Sequence, residues 1–117
     1  MTYNGTIPRT GNFKMIKNGI RPVHPGEVLR EDYLKPLKLS SNALARHLLV
    51  PASRINDIVL ERRGITADTA LRLSRYFGGD AQSWMNLQTA FDLRSAELNP
   101  ELQVTLQSLE PIESIPA

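Results

Sequence analysis

An all-α protein of five helices is what the sequence predicts, and three observations predict it. Apolar residues recur at i, i+3 and i+4 in successive stretches between residues 25 and 98. Helix-opening residues (Pro25, Ser40 or Ser41, Thr66, Asp80) and helix-ending ones (Pro36, Gly64, Gly78-Gly79, Asn99-Pro100) separate those stretches. No segment shows a persuasive strand alternation, and no internal repeat is present.

Pro25 opens the first helix at a position that needs no amide hydrogen, Val28, Leu29 and Tyr33 form its stripe, and Pro36 is expected to end it. Ser40 or Ser41 caps the second, whose inner face is Leu44, Ala45, Leu48 and Leu49. Only Val50 and Pro51 separate it from the third, with Pro51 in the first turn and Ile55, Ile58 and Val59 facing inward. Thr66 caps the fourth, Asp68 suits its dipole, and Ala70, Leu71, Leu73 and Phe77 line it before Gly78-Gly79 stops it. Asp80 caps the fifth, which carries Trp84, Leu87, Phe91 and Leu98. Leu102, Leu106 and Leu109 are compatible with a short further helix over Glu101 to Leu109.

With 117 residues and 41% hydrophobic content, the chain can bury one modest core. It divides into an arm (residues 1–24), a helical body (25–98) and a tail (99–117). The arm holds Gly5, Pro8, Gly11, Gly19 and Pro22 with Arg9, Lys14, Lys17 and Arg21 and no acid. Residues 1–91 carry 13 Lys/Arg and 7 Asp/Glu, a balance of +6, whereas residues 92–117 carry 1 Lys/Arg and 5 Asp/Glu, a balance of −4. A basic body suits a polyanion partner, and the acidic tail a different role. The arm has two readings, a tail disordered when free or a segment that folds against a partner.

Absence of cysteine excludes disulfides and thiolate metal sites. His24 and His47 are the only histidines and lie far apart, so no metal or other cofactor is expected; His24 reads as a turn residue and His47 as part of a polar helix face. No Walker loop, dinucleotide fingerprint or nucleophile elbow appears, and the adjacent Glu31 and Asp32 point different ways on a helix, so an enzyme is not expected. No apolar run approaches the roughly 20 residues of a membrane span. The N-terminal MTYNGTIPRTGNFKMIKNG lacks a signal-peptide core, so no membrane association and a cytoplasmic location are expected.

Residues 41–63 carry the functional expectation. A helix that reads DNA shows one apolar face to its core and short polar side chains to base edges, and a second helix holds it through a tight turn. At about 100° per residue, Ile55, Ile58 and Val59 share one side, Ser53 and Asp57 point away, and Arg54, Asn56 and Glu61 flank them. Arg54 suits a guanine edge, Asn56 an adenine, Ser53 a base or phosphate; Arg62 and Arg63, with Arg46, suit phosphates. Asp57 can accept from a cytosine amine but repels phosphate. Solvated amphipathic helices share this periodicity, so the pattern alone does not decide.

The segment Leu37 to Gly78 resembles the lambda-repressor-like (XRE) helix-turn-helix domain. The wider run, with HPGEVL, RRGIT and WMNLQ in that order and spacing, resembles the HigA-type antitoxins of toxin–antitoxin modules, from Arg21 to about Leu98. The resemblance implies a homodimer that binds a palindromic double-stranded DNA operator, represses its own operon and neutralises a HigB-type, mRNA-cleaving ribonuclease toxin. The alternative is an orphan regulator of the same fold without a toxin; a third reading is a protein-interaction module that has lost DNA binding. The resemblance gives Ala52, Ser53, Arg54, Asn56 and Asp57 the base-reading role and sets Ser41 where a phosphate-binding glutamine often stands. Two departures carry expectations of their own. Leu60-Glu61 replaces an Asn-Gly pair and is expected to lengthen the third helix and bring an acid near the DNA backbone. Leu49 stands where the turn often has glycine, so an altered turn is expected. The stripe Trp84, Leu87 and Phe91, taken as a single helix, reads as core, but a body this small cannot easily bury both sides of that helix, so part of the stripe, with Leu98, is expected to form a two-fold dimer interface.

Overall fold

The structure, a computed structural model, describes residues 21–114. Residues 25–37 form one continuous helix, α1, that is α-helical over Pro25–Val28, π-helical over Leu29–Leu34 and α-helical again over Lys35–Leu37. Then come α2 (Ser41–Leu48), α3 (Ala52–Val59), α4 (Ala67–Phe77), α5 (Ala81–Glu97), α6 (Pro100–Ser108) and a short 3-10 turn, Ile112–Ser114. No strand occurs among the described residues, and no helix there is long and apolar enough to cross a membrane.

Three side chains cap the helices as expected: Ser40 accepts from the Ala43 amide at 3.0 Å, Thr66 caps α4, and Asp80 accepts from the Ser83 amide at 2.7 Å; Asn99, read above only as a helix-ending residue, also caps α6. Against expectation, Pro36 does not end α1. In a regular α-helix its ring would strike the Asp32 carbonyl. The π register, in which the Lys35 amide bonds to the Arg30 carbonyl, widens the helix at this point and lets the proline through. The helix stops instead at Lys38, at φ 53, with the Leu39 amide on Leu34 O and the Lys38 amide on Lys35 O.

One core joins Leu29 and Leu34 of α1, Leu44, Ala45 and Leu48 of α2, Ile55 and Ile58 of α3, Ile65, Ala70 and Leu73 near and in α4, and Trp84 of α5. Leu29, Leu44, Ile55, Ile58 and Leu73 are fully buried, each worth roughly 1.5–3 kcal/mol. Tyr33 extends the core with ring contacts to Phe77 at 4.8 Å and Trp84 at 5.3 Å. α2 and α3 pack on each other, α1 on α3 and α5, α4 on α2 and α5, and α6 on α5.

His24, read above as a turn residue, caps α1. Its Nδ1 accepts the Gly26 amide at 2.8 Å, and its buried ring meets Phe91 edge-on at 4.8 Å. Gly26 lies so close to α3 that a Cβ there would stand 1.8 Å from the Ile58 carbonyl oxygen. The HPGEVL run thus fastens α1 to α3 and α5. Of the arm, residues 1–20 lie outside the described residues; Arg21 pairs with Glu27 at 3.0 Å. The stripe expected at a dimer interface divides: Trp84 is 4% exposed and belongs to its own core, Leu87 packs against that core, Phe91 lies on His24, and Leu98 is 47% exposed.

Candidate nucleic-acid interface

α2 and α3 are joined by Leu49, Val50 and Pro51 alone. The turn expected to change at Leu49 keeps the left-handed geometry: Leu49 sits at φ 60, with its own amide on Arg46 O and the Val50 amide on Ala45 O. That pair of bonds, with Val50 tucked against the core, holds a leucine in a conformation costing roughly 1 kcal/mol. Arg72 of α4 donates Nη1 to Leu48 O at 2.7 Å and ties down the same helix end.

Nor does Leu60-Glu61 lengthen α3. The helix ends at Val59, and Glu61, where the resemblance sets glycine, takes φ 62. The Glu61 amide bonds to Ile58 O and the Arg62 amide to Asp57 O, the same closing pair. Arg30 of α1 supports this end, with Nη1 on Val59 O and Nη2 on the Glu61 carboxylate at 3.3 Å. Glu61 is thereby paired to α1, not bare. Beyond it Gln88 of α5 accepts the Ile65 amide at 2.6 Å and packs on Gly64, joining the RRGIT and WMNLQ runs.

At its other end α3 has Pro51 as N-cap and no side-chain cap; the Arg54 amide bonds to Pro51 O at 3.0 Å, and the Ala52 and Ser53 amides before it are left for solvent or an anion. Ala52 and Ser53 are exposed there, over a face opposite the buried Ile55 and Ile58. Arg54 donates to Asp68 at 2.7 Å. Asn56 receives the Ser41 hydroxyl on Oδ1 and donates Nδ2 to Asn42 at 3.1 Å, so Ser41 and Asn56 brace α2 against α3 instead of standing free. Asp57 is paired with Arg62 at 3.1 Å. Arg63 is exposed and, with Arg54, Gly64, Thr66, Asp68 and Thr69, lines a cleft of about 310 Å³.

Each acid near this face therefore has an arginine: Asp57 has Arg62, Glu61 has Arg30, and Asp68 has Arg54 and Arg72. The two arginines hold the Asp68 carboxyl below its ordinary range. Exposed pairs of this kind are weak, so a phosphate can draw Arg62 from Asp57 at small cost, whereas Arg54 engages Asp68 through Nη1 alone and can meet a base without leaving it. The residues missed from sequence are the supports (Arg30, Arg72, Gln88, and Asp68 as a partner of Arg54), whose contacts span 14 to 29 positions along the chain. No periodic or motif signal marks contacts of that range.

A tight-turned helix pair on a small all-α body, with a polar outer face on its second helix, defines a helix-turn-helix protein of the lambda-repressor-like class. No family model matches the chain. It is 69% identical over 81 residues to virulence-associated protein I of Dichelobacter nodosus, covering 69% of this chain and 75% of that one. Among solved structures it is similar to a Pseudomonas aeruginosa antitoxin HigA with higBA promoter (49% identity, TM-score 0.73, 79% of this chain and 99% of that chain). It is also similar to an antitoxin GraA in complex with its operator (46% identity, TM-score 0.72, 79% and 92%). The chain belongs to the HigA family of helix-turn-helix antitoxins.

Proposed function

We propose that this protein is a DNA-binding antitoxin that represses its own toxin–antitoxin operon as a dimer and neutralises a HigB-type, mRNA-cleaving ribonuclease toxin. One observation carries the reading: the outer face of α3 presents Ser53 and Arg54 at an uncapped helix end, on a body that covers almost the whole of an antitoxin solved with promoter DNA. Two copies of α3 enter successive major grooves about 34 Å apart. Ser53 and Arg54 read base edges, helped by Ala52 and the braced Asn56, while Arg62, Arg63 and the Ser41 end of α2 meet phosphates. Asp57 is held off the phosphates by Arg62. The exposed Leu93 of α5 and Leu98, its C-cap, supply the pairing face. Such a protein works in the cytoplasm, where its operator and the toxin's mRNA targets are.

A footprint and gel shift on DNA upstream of the gene test the DNA half of this reading. Arg54→Ala is expected to relax base preference at one position of each half-site by about tenfold. Arg62→Ala is expected to weaken all sequences alike and to lower the salt slope by about 1. If both variants bind as the wild type does, the site assignment is wrong. Co-purification with the product of a neighbouring small reading frame tests the toxin half. DNA binding without such a partner would leave an orphan regulator.

A further inference from the structure

Asp68 stands in the first turn of α4 beside the outer face of α3, and its Oδ1 accepts from two arginines, Arg54 Nη1 and Arg72 Nε, each at 2.7 Å. Arg72 also donates Nη1 to the Leu48 carbonyl, the last helical residue of α2, at 2.7 Å. A continuous chain of bonds therefore runs from the end of α2 through Arg72 and Asp68 to one side chain of α3. A guanidinium is a rigid planar fork, so fixing one Nη restricts the plane of the whole group. Among the described residues only Nη1 of Arg54 is engaged, and the rest of the fork is left for a ligand.

We propose that Asp68 is a specificity-determining positioning residue: it holds the Arg54 guanidinium in one orientation toward the base edge that Arg54 reads, without touching a base itself. This rests on the reading of α3 as the DNA-reading helix. A free arginine carries large rotamer entropy and settles on phosphates and bases alike; a buttressed one loses less freedom per bond formed and rewards one geometry. The carboxylate meanwhile repels phosphate on every sequence equally. Its presence weakens binding everywhere and is offset only where Arg54 meets its base, which is discrimination by a penalty on the wrong partner. A merely structural Asp68, favouring the α4 dipole, would change thermal stability but not base preference.

The test scans single base-pair substitutions across one protected half-site of the upstream duplex with wild type, Arg54→Ala, Asp68→Asn and the double variant. Thermal melts accompany the scan, and Asp68→Ser serves as a second substitution should the first not fold. Arg54→Ala should flatten one position by about tenfold. Asp68→Asn should flatten the same position by about threefold, bind unrelated DNA more tightly, and add nothing to the flattening in the Arg54→Ala background. The proposal is overturned if Asp68→Asn discriminates as wild type does, or flattens a position independently of Arg54. If Arg54→Ala leaves the scan unchanged, or the wild type binds no upstream DNA, the DNA-reading assignment falls first and takes this proposal with it.

Discussion

The two ends of α3 are treated in opposite ways. At the C-terminal end, Gly26 lets α1 approach the Ile58 carbonyl, Arg30 holds Val59 O and Glu61, and Gln88 secures the loop that follows. At the N-terminal end there is no side-chain cap, whereas α1, α2, α4, α5 and α6 each have one, from His24, Ser40, Thr66, Asp80 and Asn99. A helix fastened at one end can present the other without rearranging, and the donors left unsatisfied there are the ones a ligand can use. Local stability has been placed where motion would blur recognition.

Breaking the fastened end should give the largest effect. Gly26→Ala sets a methyl group against backbone, not against a side chain that can swing away. We expect a loss of about 3 kcal/mol, or roughly 15 °C in Tm, in thermal or urea unfolding. A loss under about 1 kcal/mol would mean that α1 shifts freely over α3. Arg30→Ala should cost less, about 1–2 kcal/mol, by removing a donor from Val59 O and the partner of Glu61. Arg30→Lys should recover only part of this, because one ammonium cannot span both acceptors as the fork does. Full rescue by lysine would show that charge alone matters there.

His24 makes the same end sensitive to pH. Burial lowers its pKa in the folded state, and the Nδ1 that accepts the Gly26 amide must be unprotonated. The unfolded chain therefore binds more protons than the folded one between the ordinary value of about 6.5 and the lowered one. Stability is full above about 6.5 and declines as pH falls through that window. The carboxylates of Asp68 and Asp80, whose values are lowered, lose their contribution only below about 4, so the two effects are separable. His24→Asn retains a capping side chain without the titration, and its Tm should be flatter between pH 5 and pH 7 by about a few degrees. An unchanged slope would place the acid sensitivity elsewhere.

What could be seen in the sequence was local. Ser40, Thr66 and Asp80 cap helices because a short polar side chain meets an amide three residues on, which is a matter of spacing alone. Ile55 and Ile58 face inward for the same kind of reason. Pro36, Leu49 and Glu61 misled because the local preference is real but is overruled: by a widened helical register at Pro36, and by paired closing bonds at Leu49 and Glu61. The interface was legible as a set of residue types, but its electrostatics were not. Asn56 reads from sequence as a free base-reader and turns out to brace α2, and Arg54 is already held by Asp68 from another helix. Such partners become neighbours only after the chain has folded.

The smallest expected effect lies on the approach to the free end. Leu49 is 83% exposed, so its side chain buries little, yet it holds a left-handed backbone that costs a leucine roughly 1 kcal/mol. Leu49→Gly removes that strain and adds unfolded-state entropy worth about 0.4–1 kcal/mol in the opposite sense. The balance is a gain of a few tenths of a kcal/mol, measurable as a small rise in urea midpoint at unchanged m. A clear loss would assign the turn differently. Leu49 lines a cleft with Leu71, Arg75 and Tyr76, and destabilisation by glycine would mean that contacts across this cleft hold the turn. The bonds from Leu49 to Arg46 O and from Val50 to Ala45 O survive either way. The sign of this one substitution therefore tells whether backbone hydrogen bonds or apolar contact fix the angle at which α3 leaves α2.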